Sequence, residues 1–221
     1  MKLEALYGAR FGARDEAFKA AVWAILWRRL FSRWIEPRDV LLDVGAGYCE
    51  LTNVAVARRR IAVDLNPRTK ECAAPGVEVR LASADRLDFL ADGEVDVAFS
   101  SNFFEHLPDK ATLSKVFSEI YRVLRPGGRL VAIGPNVRRM PGTYWDFYDH
   151  HLALSDRSLA EGLAMSGFAV EEMHAGYLPA STKSRLPQWP WLVSAYLALR
   201  PVVWPLLGRQ FLVVARKPAA S

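Results

Sequence analysis

Short, nearly unbroken apolar runs recur through the first two thirds of the chain, at Val40-Leu41-Leu42, Ile61-Ala62-Val63, Val97-Ala98-Phe99 and Leu130-Val131-Ala132-Ile133. A strand covered by helices on both faces has no solvent side, so unbroken rather than alternating runs predict a buried parallel sheet. Strands are predicted at 40–44, 60–65, 77–82, 95–101 and 129–134. Between them the apolar period lengthens toward 3.6, most clearly from Leu113 to Leu124, a helix expected to stop at Arg125-Pro126-Gly127-Gly128. An earlier helix is predicted over 13–36, where Phe18, Val22, Ile25, Leu26, Leu30 and Trp34 share one face and Pro37 ends the pattern. Beyond 135 come an aromatic polar loop to 151 and a helix at 156–166, capped by Ser155 or Asp156 and followed by Gly167. A strand at 168–174, a Pro- and Trp-rich insertion at 177–209 and a last strand at 210–215 complete the pattern. Strand-helix alternation of this kind predicts an α/β fold: a doubly wound, mostly parallel seven-stranded sheet, with its ligand site outside the carboxyl ends of the strands.

Composition narrows the class. With 221 residues and 51% hydrophobic content, a single domain over 1–221 is expected, and 24% charge does not indicate disorder. The formal net charge of +5 comes without a basic-aromatic motif, so no nucleic-acid partner is expected; Arg58-Arg59-Arg60 reads as a solvated helix end. Cys49 and Cys72 show no disulfide pattern, no cleavable leader is visible, and a cytoplasmic location is expected.

The chemistry concentrates at Asp43-Val44-Gly45-Ala46-Gly47-Tyr48-Cys49-Glu50 and the later Asp64. A dinucleotide turn, G-x-G-x-x-G, needs a third glycine at position 50 to let a pyrophosphate reach a helix N-terminus. Glu50 stands there instead, adding bulk and a repelling charge. Asp64 follows the first strand at the spacing that offers a carboxylate to ribose hydroxyls. A nucleoside without phosphates fits this pattern, and S-adenosylmethionine is the leading candidate.

Taken with Ser83-Ala84-Asp85, Ser101-Asn102-Phe103-Phe104-Glu105-His106-Leu107 and Leu124-Arg125-Pro126-Gly127-Gly128, these residues resemble the class I S-adenosylmethionine-dependent methyltransferases, over about 38–135. The segments after 135 are similar to a bacterial group of these enzymes associated with glycan or lipid-linked assembly, and Cys49 departs from the glycine many members carry. The resemblance implies a cofactor-binding core at 38–135, with 136–151 and 177–209 as acceptor-side loop and lid. It implies that Gly45 and Gly47 admit the methionine part, Asp64 holds the ribose and Asp85 the adenine amine. Leu65 and Arg86 would flank the ring, and Asn102 would face the ammonium group with Asp43 behind it. Tyr48 or Phe103 would lie against the sulfonium, since aromatic faces attract cations. Asp43 and Asp85 can equally serve as turn braces.

In-line methyl transfer draws on positioning, and a hydroxyl acceptor gains further from a base. His150 and His151 are the favoured bases, with Tyr144 nearby; His106 reads as structural or as a wall of the site. Asp146, Asp149, His150 and His151 include metal-ligand types but no metal-specific spacing, so no metal is expected. The apolar stretch 187–207 is broken by Pro190, Pro201 and Pro205 and carries Arg200, which opposes a spanning helix. With Trp23, Trp27 and Trp34 it suits a lid, a dimer face or a peripheral membrane contact at the inner surface. The expected reaction is methylation at oxygen of a small-molecule or glycan acceptor, lipid-linked acceptors included, by a monomer or homodimer. Nitrogen or carbon methylation and a cofactor-binding scaffold without turnover stand as rivals. A nicotinamide-dependent oxidoreductase is disfavoured by Glu50.

Overall fold

The computed structural model describes residues 13–179 and 190–219. Helix α1 (Ala13–Arg29) leads into a 3-10 turn at Phe31–Arg33, so the helical pattern expected to 36 breaks at residue 30. Then come β1 (Val40–Val44), α2 (Glu50–Val54), β2 (Arg59–Asp64), α3 (Arg68–Cys72), β3 (Val77–Leu81) and β4 (Val95–Ser101). Helix α4 (Lys110–Val123), β5 (Leu124–Pro135), α5 (Asp156–Met165), β6 (Ala169–His174), α6 (Pro190–Ala198), α7 (Arg200–Leu207) and β7 (Gln210–Arg216) follow. The seven strands are ordered β3-β2-β1-β4-β5-β7-β6. Strands β1 to β5 run parallel, and β7 lies antiparallel to both β5 and β6. The expected doubly wound sheet is therefore present.

Burial explains the unbroken apolar runs. All of β1 is buried: Val40, Leu42 and Val44 pack with Val116, Phe117 and Ile120 of α4 and Leu159 and Leu163 of α5. Leu41 lies in the opposite layer with Phe99, Val131, Leu212 and the Val22, Leu26, Trp27 stripe of α1. Successive strand residues face opposite sides, so both sides must be apolar here. Helix α4 begins where the Asp109 carboxylate accepts the Thr112 amide at 2.7 Å. Helix α5 begins at Ser155 in a capping box with Ser158, and Gly167, at φ +91°, follows its end.

One boundary differs from expectation. Strand β5 starts at Leu124 rather than 129, because Leu124 pairs with Val95 before the register shifts between Val95 and Val97. The Pro-Gly-Gly segment is thus an irregular strand entry. Chain order turns back between β1 and β4: β2 and β3 extend to one side, β4 and β5 to the other. That reversal opens a crevice at the carboxyl ends of β1 and β4. Of the apolar insertion, 190–207 forms α6 and α7, with Leu197 and Tyr196 packed in the α1 layer; 187–189 lie outside the described residues.

Candidate active site

The turn after β1 takes left-handed backbone at alternate residues: Gly45 at φ +71°, Gly47 at +53° and Cys49 at +59°. Glycine adopts this region without the roughly 1–2 kcal/mol that a side chain adds. The two glycines serve different ends. A Cβ on Gly45 would sit 2.2 Å from Cγ of Phe103, whereas one on Gly47 would meet only the Glu50 carboxylate at 3.9 Å. Gly45 therefore lets Phe103 close one side of the turn, and Gly47 leaves the other side open to the crevice.

Asp64, at the end of β2, fixes that open side. Its carboxylate oxygens accept the Gly47 amide at 2.7 Å and the Asn66 amide at 2.8 Å. A carboxylate has about four acceptor sites, so each oxygen retains capacity for a hydroxyl donor. Thr69 donates its hydroxyl to the Gly47 carbonyl at 2.7 Å, tying α3 to the same turn. Leu65, next to Asp64, is 69% exposed and offers an apolar shelf beside the carboxylate. Asp85 lies half-buried beyond β3 and accepts the Ser83 hydroxyl. Arg86 is turned outward and pairs with Asp88 at 2.9 Å.

Asp43 lies beneath the turn rather than along the open crevice. It is 3% exposed, accepts the Thr52 hydroxyl and is pushed up to about 7 by burial, with Glu50 and Asp64 adding repulsion. Burial also raises the Glu50 carboxyl, which begins α2 and lies 3.8 Å from Lys19. Carboxyl groups therefore gather at this turn, with Glu50 at the position where a pyrophosphate-binding turn carries glycine. Tyr48 receives Arg68 at 5.3 Å and Lys19 at 5.9 Å from its ring centroid, so its face already holds protein cations. Of the two aromatic candidates, Phe103 stands directly against the turn.

Asn102 forms the crevice rim at the end of β4. It sits at φ +50°, donates its amide to the Ile133 carbonyl at 2.9 Å and accepts the Gln210 side chain at 3.0 Å. Non-glycine residues in this region concentrate where function over-determines the backbone. Gln210, Thr52 and Thr69 were invisible in the sequence, since each acts through a contact with a distant segment.

The acceptor-side residues separate sharply. Tyr144 is fully buried: its hydroxyl donates to the Leu152 carbonyl and accepts the Leu154 amide at 3.2 Å. Burial raises its hydroxyl to about 12, so the expectation of a chemical role yields to that of a loop brace. His151 is exposed, and its backbone amide donates to the Glu105 carbonyl at 2.8 Å. His150 instead stacks on Phe147 at 4.9 Å and meets His106 edge-on at 5.2 Å. The His106 Nδ1 lies 2.8 Å from the Asp149 carbonyl, and its Nε2 lies 3.8 Å from the Glu105 carboxylate. Asp146 is exposed and outside this group. His106, expected to be structural or a wall of the site, lies with His150 and Glu105.

The sequence pattern described as a methyltransferase domain matches residues 42–132. A relative from Mycolicibacterium smegmatis, named a probable S-adenosylmethionine-dependent methyltransferase, is 34% identical over 73% of this chain and 63% of its own. The 2-methyl-6-phytyl-1,4-hydroquinone methyltransferase of Synechocystis is 26% identical over 70% of this chain and 53% of its own. This chain therefore spans between half and two thirds of those relatives. Among solved structures, a methyltransferase in complex with the Haloferax volcanii Trm112 methyltransferase activator superposes with a TM-score of 0.69, at 18% identity, over 99% of both chains. Residues 42–132 thus match a methyltransferase domain, and the sheet around the crevice shares the fold of solved methyltransferase structures.

Proposed function

We propose that this chain methylates an oxygen atom of a small-molecule or glycan acceptor, with S-adenosylmethionine bound at the β1 and β2 ends. The turn carries the reading: it is open at Gly47, held by Asp64 and lined with carboxylates. The bound cofactor supplies an electrophilic methyl group on a sulfonium. Asp64 would accept both ribose hydroxyls on its remaining lone pairs, and Leu65 would support the adenine. Asp85 would accept the adenine amine, while Arg86 would first have to leave Asp88. The backbone of Gly45, Gly47 and Asn102 would line the methionine part. Phe103 would face the sulfonium, Tyr48 would wall the crevice, and Asp43 would hold the turn from below.

His150 is assigned as the base that removes the acceptor proton. It meets the ring of His106, three residues beyond Phe103 in the chain, whereas His151 is exposed. Isotope-labelled S-adenosylmethionine, incubated with phenols, glycans and lipid-linked saccharides, tests the assignment. Label in an O-methyl product supports it; label found solely on nitrogen or carbon overturns it.

One observation favours a hydrophobic acceptor met at a membrane surface. Trp191, Leu199, Val202, Leu206 and Leu207 are 55–67% exposed on and between α6 and α7, beside exposed Arg200. Apolar side chains with basic flanks suit an interfacial helix, and one relative is named for a phytyl hydroquinone. No helix among the described residues is long and apolar enough to cross a membrane. Flotation with anionic liposomes at low salt should carry the protein upward; its absence from the lipid fraction contradicts the surface contact.

A further inference from the structure

We propose that Glu105, His106 and His150 form a site for one divalent transition-metal ion of the zinc type on the acceptor side of the crevice. Their potential ligand atoms, one from each side chain, all lie within 4.8 Å of one another. Two imidazoles and a carboxylate are a donor set that holds zinc with a fourth position open.

The hydrogen bonding prepares His106 for this role. A backbone carbonyl only accepts, so the 2.8 Å contact to the Asp149 carbonyl places the neutral His106 proton on Nδ1. The lone pair is then on Nε2, the atom facing Glu105 at 3.8 Å. An imidazole whose second nitrogen is held by a carbonyl is the usual outer support of a metal-bound histidine. The Asp149 carboxylate, 3.6 Å from the same Nδ1, reinforces that support.

Glu105 supplies the second reason. Its side chain is 2% exposed, and among the described residues its ion pairing is limited to His106. Among the described residues no arginine or lysine pairs with it, although a buried carboxylate is costly without a partner. A divalent cation would provide that compensation. The amides of His151 and Leu152 both donate to the Glu105 carbonyl, at 2.8 and 3.0 Å, which fastens the His150 loop to the 104–106 turn. Zinc ligands at about 2.0–2.2 Å from the metal lie ~3.3 Å apart, so closure requires side-chain rotation rather than loop movement.

In its chemical use, the site deepens the methyl-transfer reading. A metal in the open geometry would lower the pKa of an acceptor hydroxyl, with the released proton passing to water. His150 would then be a ligand instead of the base. Metal binding itself is measurable without turnover.

The test is a Zn²⁺ titration of chelator-stripped, full-length protein against a competing chromophoric chelator, with Co²⁺ as a visible spectroscopic probe. One equivalent should bind, with cobalt bands of tetrahedral type. His106→Ala and Glu105→Gln should each weaken binding at least about 10-fold, and His174→Ala, remote from the cluster, should leave it unchanged. S-adenosylhomocysteine affinity reports whether each variant remains folded. Wild-type protein that takes up no Zn²⁺ or gives no such cobalt bands overturns the proposal. So does binding that survives in both cluster variants. Failure of the metal site leaves His150 as the base, and failure to find methyl transfer leaves the metal measurement standing.

Discussion

The two halves of the crevice are built differently. The cofactor half is backbone held by nearby side chains: left-handed turns at Gly45 and Gly47, and an Asp64 carboxylate that accepts two amides. The expected acceptor half is ring against ring, where His150 reaches His106 across 44 positions of sequence. Backbone demands appear locally as glycine and aspartate at fixed spacing. Ring clusters leave no such spacing, because each partner is chosen by the fold rather than by its neighbours in the chain.

Substitutions that separate the halves should fall in a definite order of effect. Gly45→Ala should be the most severe, lowering stability by on the order of 3 kcal/mol, since its Cβ would collide with Phe103 in a left-handed backbone. Denaturant unfolding measures this, and Gly47→Ala gives the contrast: about 1 kcal/mol of strain, with the larger loss in cofactor affinity. Equal destabilisation by both would dissolve the distinction between a closed and an open glycine. On the acceptor side, His150→Ala should slow turnover about 100-fold while leaving cofactor affinity intact. A change in affinity alone would return His150 to a packing role.

Tyr144→Phe tests the correction to the sequence reading. Losing the hydroxyl that serves Leu152 and Leu154 should cost about 1 kcal/mol in thermal unfolding. The turnover pH profile should be unchanged, and a lost ionisation would reinstate Tyr144 as a chemical group. A pH-dependent effect concerns Asp43. Its carboxyl is raised from 3.8 to about 7 in the fold, so the folded state holds a proton that the unfolded chain has released between those values. This contribution to stability is complete below about pH 4 and is lost as pH rises through about 7. Asp43→Asn keeps an acceptor for Thr52 and removes that titration. Wild-type stability relative to the variant should therefore decline from pH 5 to pH 8 in thermal melts.

The sheet was legible because Leu41 and Leu42 are both buried, on opposite faces, and because Ser155 and Gly167 mark helix ends chemically. The turn geometry was legible because Gly47, Glu50 and Asp64 lie within one strand-turn-strand unit. Tyr144 misled because a tyrosine in a polar loop carries no sign of which end is buried. The His106 contact with the Asp149 carbonyl was not legible because the two lie 43 positions apart. The start of β5 shifted because Leu124 found Val95, a pairing that propensity cannot express.

The central claim is that Asp64 and the open turn bind a cationic nucleoside and refuse a dinucleotide. Calorimetric titration of S-adenosylmethionine into the wild-type protein and Asp64→Ala, with NAD as comparator, tests it directly. The account predicts one site, weakened about 10- to 100-fold by the substitution through lost charged hydrogen bonds, and no NAD binding. Affinity for S-adenosylmethionine unaffected by Asp64→Ala, or NAD binding as tight as S-adenosylmethionine, would contradict it.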